Sequence, residues 1–145
     1  MAIKDLDRQR AEFAFNCVKN FIEQNEDKER QKKYRGYIRN TPSLMLNHGL
    51  GGTLAFMFSK RFKSDGDVYI SIGENIYSWL NKKENKYLLK LGDKDNIEEL
   101  KELINRVIGD LSSSEYRMVT NEILTLFTWL KRFADGMIEA EDNDG

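Results

Sequence analysis

Hydrophobic residues recur along most of this chain at the three- and four-residue spacing that places side chains on one face of an α-helix. Near the start, Phe13, Cys17 and Phe21 follow one another at intervals of four. Near the end, one stripe comprises Tyr116, Val119, Ile123, Phe127, Leu130, Ala134 and Met137, and Leu126 and Phe133 widen it. The alternation typical of a β-strand never persists beyond about five residues. The pattern therefore predicts an all-α protein.

Turn and capping signals divide the pattern into five to six helices. The predicted helices cover about residues 6–24, 28–39, 42–62, 70–88, 96–109 and 113–137. Thr41 followed by Pro42 is typical of a helix start, as are the capping boxes that begin at Asp95 and Ser112. Asp65–Gly66 is typical of a tight turn. Short connections favour antiparallel neighbours, so we predict a compact single-domain bundle over residues 1–138.

Length and charge agree with one domain and an acidic tail. The 145 residues suit a single core. The formal net charge is −1, but residues 139–145 carry four acids and no base. Removing those four charges leaves +3, so the predicted bundle is mildly basic. The acidic tail has too few apolar residues to form a core and is predicted to be disordered. The amino-terminal residues resemble no signal peptide, and the longest apolar stretch is too short to span a membrane, so a cytoplasmic location is expected.

The residue types available for catalysis are few. The chain has one histidine, His48, and one cysteine, Cys17, which is too few for a structural zinc site. Carboxylate pairs such as Glu98–Glu99 occur in polar surroundings that do not favour divergent pKa values. We therefore expect no enzymatic activity, no metal and no cofactor.

Three glycines, Gly49, Gly51 and Gly52, interrupt an otherwise apolar helix. Each costs up to about 1 kcal/mol relative to alanine, which implies a compensating contact. On a helical wheel Gly52 shares a face with His48, Ala55 and Ser59, opposite the leucines. Two interpretations stay open, namely close approach of another helix to this small face and close approach of a ligand to the backbone.

Basic residues form three clusters that are candidates for contact with nucleic acid. One lies on the predicted second helix, where Tyr34 and Tyr37 are interleaved with the cations, one closes the third helix and one lies on the sixth. Clustered cations suit phosphate groups, and aromatic side chains between them suit stacked bases. A solvated helix face, or stabilisation of a helix C-terminus by Lys60 and Arg61, is the structural alternative. The predicted RNA-binding residues are Lys32, Lys33, Arg35, Arg39, Lys60, Arg61, Lys63, Arg117, Lys131 and Arg132.

A protein interface is predicted on the sixth helix. Trp129 lies away from the centre of the apolar stripe, on the same side as Glu122. Tryptophan is over-represented among interface hot spots, so Trp129 and Glu122 are the candidate interface residues. The basic flank of this helix would meet an acidic patch on the fifth helix of a neighbouring copy, formed by Glu98, Glu99 and Glu102. Packing of Trp129 under another helix of the same chain is the open alternative.

Two stretches of the sequence resemble one known family. The first is Tyr-Arg-Gly-Tyr-Ile-Arg-Asn-Thr-Pro-Ser-Leu from residue 34, continued from residue 47 by Asn-His-Gly-Leu-Gly-Gly-Thr-Leu-Ala-Phe. The second is Glu-Tyr-Arg from residue 115, followed by Glu-Ile-Leu from residue 122 and Trp-Leu-Lys-Arg-Phe-Ala-Asp-Gly from residue 129. With the phenylalanine-rich first helix, these resemble the small-subunit family of the type III-B CRISPR effector, the Cmr complex. The resemblance is least distinctive between Phe62 and Asn96, and His48 departs from it.

This resemblance implies a non-catalytic helical subunit that functions in antiviral defence. The implied partners are copies of itself stacked in a short filament, the backbone and large subunits, the CRISPR RNA and the target RNA, with no membrane. Contacts to RNA are expected at the phosphate backbone, because guide–target pairing recognises the sequence. Two other functions stay open: a helical protein–protein adaptor without RNA contact, and a small enzyme that uses carboxylates.

Overall fold

The structure, a computed structural model, describes residues 3–82 and 97–139. Within these ranges it contains five helices and no strand, which confirms the predicted all-α fold. The helices are α1 (Ile3–Gln24), α2 (Lys28–Ser59), α3 (Gly66–Leu80), α4 (Ile97–Gly109) and α5 (Ser113–Met137). Residues 140–145 of the predicted acidic tail lie outside the described residues, and Glu139 is exposed.

The chain divides into two compact units. The first combines the residues up to Pro42 with those from Leu124 onward, and the second comprises Ser43–Ile123. The long helices α2 and α5 each contribute one part to each unit. The single domain expected over residues 1–138 stays a prediction.

The first unit is held together by aromatic and aliphatic residues of α1, the start of α2 and the end of α5. The rings of Phe21 and Tyr34 stack with centroids 3.9 Å apart and planes 6° apart. The Phe15 ring meets Phe133 edge-on at 5.5 Å. Val18 and Ile38 are fully buried beside them. Burial of each such side chain stabilises the fold by about 1.5–3 kcal/mol.

The second unit is built on the packing of α3 against α4. Gly73 lies so close to Leu100 that an added Cβ would stand 3.0 Å from the leucine methyl group. Trp79 is fully buried, and its indole Nε1 donates a hydrogen bond to Glu122 at 2.9 Å. Ile76 and Leu103 complete the same core.

The predicted helix break at Thr41–Pro42 is wrong, because helix α2 continues past Pro42. The Thr41 hydroxyl donates to the carbonyl oxygen of Tyr37 at 2.7 Å, so Thr41 lies within the helix rather than capping its start. Proline removes one backbone hydrogen bond, but the turns on either side carry Ile38 and Met45, both buried. The helix thus continues through Pro42 with a buried apolar residue on each side.

The true interruption of α2 lies at Gly49, which has φ 72° and ψ 172°. This backbone conformation is accessible essentially to glycine alone. A Cβ at Gly49 would lie 2.5 Å from the Tyr116 hydroxyl oxygen, and the Gly51 N–H donates to that same oxygen at 2.8 Å. The glycines therefore admit Tyr116 of α5 to the backbone of α2.

The hypothesis that Gly52 permits close approach of another helix is wrong. Gly52 is exposed, as are His48, Ala55 and Ser59 on the same face. The close contacts lie one and three residues earlier, at Gly51 and Gly49, because the non-helical backbone at Gly49 breaks the regular wheel on which the prediction relied.

The capping box at the start of α5 is confirmed. The Ser112 N–H donates to Glu115 Oε1 at 2.9 Å, and the Glu115 N–H donates to Ser112 Oγ at 3.2 Å. This exchange satisfies two backbone groups that a helix start leaves unpaired. The predicted apolar stripe is also present, since Val119, Ile123, Phe127, Leu130 and Ala134 are all fully buried.

Candidate nucleic-acid interface

The cations predicted on the first part of α2 are partly neutralised by one carboxylate of α5. Arg39 Nη1 donates to both carboxylate oxygens of Asp135 at 2.8 Å. Arg35 Nε lies 3.1 Å from Asp135 Oδ1, and the Arg35 side chain is largely buried. Lys32 lies 3.6 Å from Glu29. This surface therefore keeps less positive charge than the sequence suggests.

The tyrosines interleaved with these cations do not provide an open stacking surface. Tyr34 is fully buried, and its ring is stacked on Phe21 within the core of the first unit. Tyr37 is half-buried. The prediction that Tyr34 is available to a nucleobase is wrong, because the same residue completes the hydrophobic face of α2.

Two predicted cations of α5 lie beside the Asp135 ion pairs. Lys131 and Arg132 are exposed, and together with Asp135 and Pro42 they line a groove of about 430 Å³ in the first unit. The Arg132 guanidinium lies 5.4 Å from the Trp129 ring centroid. The third α5 cation, Arg117, is exposed in the second unit and lines a separate groove with Ile108, Leu111 and Tyr116.

The densest group of cations without ion pairs lies in the turn after α2. Lys60, Arg61 and Lys63 form no ion pair with any residue in the described ranges. Lys60 Nζ lies 5.0 Å from the centroid of the Phe56 ring, and the central carbon of the Arg61 guanidinium lies 4.3 Å from the centroid of the Phe58 ring. Such cation–π contacts orient the side chains and leave their charge in place. We call residues 60–63 the basic turn.

Backbone hydrogen bonds fix the basic turn. The Lys63 N–H donates to the Lys60 carbonyl oxygen at 2.9 Å, and the Gly66 N–H donates to the Lys63 carbonyl oxygen at 2.8 Å. Asp65 adopts a left-handed conformation with φ 58°, which aspartate tolerates better than most residues. A Cβ on Gly66 would overlap the Lys60 carbonyl oxygen, so the tight packing of this turn depends on glycine. The predicted Asp-Gly turn is thus present.

Sequence reasoning missed Phe62 in the basic turn. Its side chain is 86% exposed, the highest exposure among the large hydrophobic residues described. The apolar periodicity predicts only that Phe62 ends the third helix. The available signal was its position between Arg61 and Lys63, immediately before the Ser-Asp-Gly turn.

The two predicted protein-interface residues both make contacts within the chain. Trp129 is half-buried, and its Nε1 donates to Asp7 of α1 at 3.1 Å. Its ring stacks on Phe133 at 6.0 Å. Glu122 accepts the hydrogen bond from Trp79 described above. Trp129 thus packs against a neighbouring helix, the alternative left open above, and its contact with another subunit stays a prediction. The side chains of Glu98 and Glu99, in the proposed acidic patch, lie outside those described.

Groups with catalytic potential are sparse in the described ranges. No cluster of three or more histidine, cysteine, aspartate or glutamate side chains there could hold a metal ion. His48 is exposed. Burial raises the pKa of Glu74 in α3 above its ordinary value of 4.5. No helix in the described part of the chain is both long and apolar enough to cross a bilayer.

Comparison with known families agrees with the resemblance noted from the motifs. Residues 6–137 match the sequence model of the family described as CRISPR-associated protein (Cas_Cmr5). The match extends from α1 to the end of α5 and includes the basic turn, the Gly49 kink and the capped start of α5. The chain therefore belongs to the Cas_Cmr5 family and is a small subunit of the type III-B Cmr complex.

Proposed function

We propose that this protein is a non-catalytic subunit that contacts the RNA phosphate backbone within the complex through the basic turn. The observation that carries the proposal is the presence of three cations within four residues, none of them ion-paired in the described ranges. When unpaired lysine and arginine side chains neutralise phosphates, the counterions condensed on the RNA are released, which favours binding. Arg35 and Arg39 contribute less because Asp135 already offsets their charge.

The same proposal assigns the place of the protein in the assembly. Copies of the chain stack in a short filament beside the backbone and large subunits, in the cytoplasm, during antiviral defence. The CRISPR RNA and its target supply sequence recognition by base pairing, so this subunit needs only contacts that are independent of sequence. Each copy touches few phosphates, and affinity accumulates over the assembly.

The absence of catalytic activity is part of the proposal. A histidine-activated serine or cysteine nucleophile would need His48 as its base, since the chain has no other histidine. His48 is exposed and forms no hydrogen bond with the residues that the structure describes. A screen of the purified chain for RNA cleavage with divalent metals tests this point, and any turnover that follows the protein through purification would contradict it.

A protein–protein adaptor is the second candidate, and one observation favours it. Leu46, Ile108 and Met118, all in the second unit, are 75%, 64% and 49% exposed. Contiguous exposed apolar surface is typical of sites that a partner protein covers, and these side chains would contribute to such a surface. In this alternative the protein binds other subunits and does not touch RNA.

Reconstitution of the complex with a variant subunit separates the two candidates. Lys60→Gln, Arg61→Gln and Lys63→Gln together should leave incorporation of the subunit unchanged and weaken retention of target RNA about 3- to 150-fold, given about 0.2–1 kcal/mol for each exposed charge contact. Unchanged RNA retention by a fully incorporated triple variant would favour the adaptor. The matched control replaces Leu46 and Ile108 by serine, which should affect incorporation rather than RNA affinity within assembled complexes.

A further inference from the structure

Phe62 is an apolar side chain displayed by the basic turn, whose three cations form no ion pair with any residue in the described ranges. Its 86% exposure means that folding gains almost nothing from burying it. Exposed phenylalanine between cations is the composition of a surface that binds single-stranded nucleic acid, where bases stack on aromatic rings while phosphates contact the cations. Phe62 can therefore stack on a base, an interaction that adds to the phosphate contacts of the neighbouring cations.

One face of the Phe62 ring is in contact with Arg61. The Arg61 guanidinium lies 4.5 Å from the Phe62 ring centroid and 4.3 Å from that of Phe58. Arg61 thus lies between two aromatic rings, and Phe58 is half-buried while Phe62 is exposed. This contact restrains the Phe62 side chain at one face and leaves the other face open to solvent.

The backbone beneath Phe62 is restrained as well. The hydrogen bonds on either side of it, from Arg61 N–H to the Phe58 carbonyl at 3.2 Å and from Lys63 N–H to the Lys60 carbonyl at 2.9 Å, hold the basic turn in one conformation. A surface that is ordered before binding loses less conformational entropy when a ligand arrives. The backbone that carries Phe62 is accordingly restrained before any ligand binds.

We propose that Phe62 is a stacking platform for an unpaired base of single-stranded RNA, with Lys60 and Lys63 on the flanking phosphates. This proposal rests on the proposed function, because the same turn supplies the phosphate contacts. It adds a preference for unpaired nucleotides over duplex RNA, which charge alone does not give. A base inside a duplex is already stacked on both faces and is not available to Phe62, so the turn selects unpaired nucleotides.

The test uses the full chain at low salt and a fluorescent 15-nucleotide oligouridine, with the corresponding RNA duplex for comparison. Phe62→Ala and Phe62→Leu should each weaken binding to oligouridine about 5- to 100-fold, the range that loss of one stacked base implies, and should leave duplex binding unchanged. Phe62→Trp, which keeps an aromatic face, should retain or increase the affinity. Circular dichroism spectra should not change, because Phe62 is exposed.

Four results would count against the proposal. Equal affinity of Phe62→Leu and the parent for oligouridine would show that no base stacks on this residue. Reduced incorporation of Phe62→Ala into the complex with unchanged RNA affinity would assign Phe62 to a protein contact instead. If Lys60→Gln with Lys63→Gln weakens binding and the Phe62 variants do not, only the stacking fails, and if neither set has an effect, the proposed function fails with it.

Discussion

At the scale of single residues, the contact between Tyr116 and the glycines of α2 explains a segment that sequence alone left ambiguous. Three glycines in an apolar helix predicted a close approach, and one exists. Its location could not be predicted, because it depends on the left-handed φ of Gly49 and on a tyrosine 67 positions later in the chain. A wheel that assumes an unbroken helix selects Gly52, which is exposed.

Gly49→Ala should lower the free energy of unfolding by about 1–3 kcal/mol, the cost of holding a residue with a Cβ in this backbone conformation. The added Cβ would also displace the Tyr116 hydroxyl. Gly36→Ala is the matched control, because Gly36 is helical and a Cβ there meets nothing within 4 Å. Urea denaturation of both variants should show a destabilised Gly49→Ala and a Gly36→Ala at least as stable as the parent. Equal stability of the two variants would contradict this role of Gly49.

The second prediction at this scale concerns Glu74. Burial raises the pKa of its carboxyl group, so the folded state binds the proton more tightly than the unfolded state does. Below pH 4.5, the ordinary pKa, Glu74 is protonated in both states and the fold has its full stability from the neutral buried carboxyl. This stability is lost as the pH rises through the raised pKa of the folded state, because a charged carboxylate is then buried. Glu74→Gln should therefore raise the melting temperature at neutral pH, and the gain should shrink at about pH 4. Glu12→Gln, at an exposed position of α1, serves as the control. A gain that does not change with pH would contradict the desolvation account.

At the scale of helices, local signals predicted the start of α5, but they failed at Thr41–Pro42, and the predicted fourth helix, about residues 70–88, is found at Gly66–Leu80. The capping box at Ser112–Glu115 needs only residues three positions apart, and it is present as expected. The break expected at Pro42 is equally local, yet the helix continues because the apolar residues around it are buried. Likewise the wheel placed Trp129 off the main stripe correctly, but its partner Asp7 lies on α1 and could not be inferred.

Ser112→Ala should lower the free energy of unfolding by about 0.5–2 kcal/mol, because it removes the side-chain acceptor for the Glu115 N–H. Ser114→Ala, at an exposed position of the first turn that caps nothing, should change stability by less than about 0.5 kcal/mol. Thermal melts of the two variants measure the difference. Loss of equal size in both would indicate a general preference for serine in this turn rather than capping.

Trp129, the predicted interface residue, also contributes to the packing of its own chain. Its hydrogen bond to Asp7 and its stacking on Phe133 contribute to the first unit itself. Truncation of Trp129 would therefore alter stability together with any subunit contact. Incorporation assays with that variant need a parallel melting measurement before they can be interpreted.

At the scale of the whole molecule, the fold class and the family followed from sequence because both depend on many positions at once. Helical periodicity over the chain predicted the all-α fold, and joint motifs predicted the CRISPR-associated family. The candidate site was predicted less completely. The sequence supplied all ten cations proposed for RNA contact. It could not show that Arg35 and Arg39 are paired with Asp135, because Asp135 is remote from them in the chain.

The division between paired and unpaired cations is the central claim, and the salt dependence of RNA binding tests it most directly. For single-stranded RNA, the slope of log affinity against log salt changes by about 0.7 for each phosphate contact. Lys60→Gln with Lys63→Gln should flatten that slope, measured with the assembled complex and target RNA, by about 1.4. Lys32→Gln with Lys33→Gln removes the same charge from α2, where Lys32 is paired with Glu29, and should leave the slope close to that of the parent. An unchanged slope for the variant of the basic turn, or an equal decrease in both variants, would contradict the assignment of RNA contact to the basic turn.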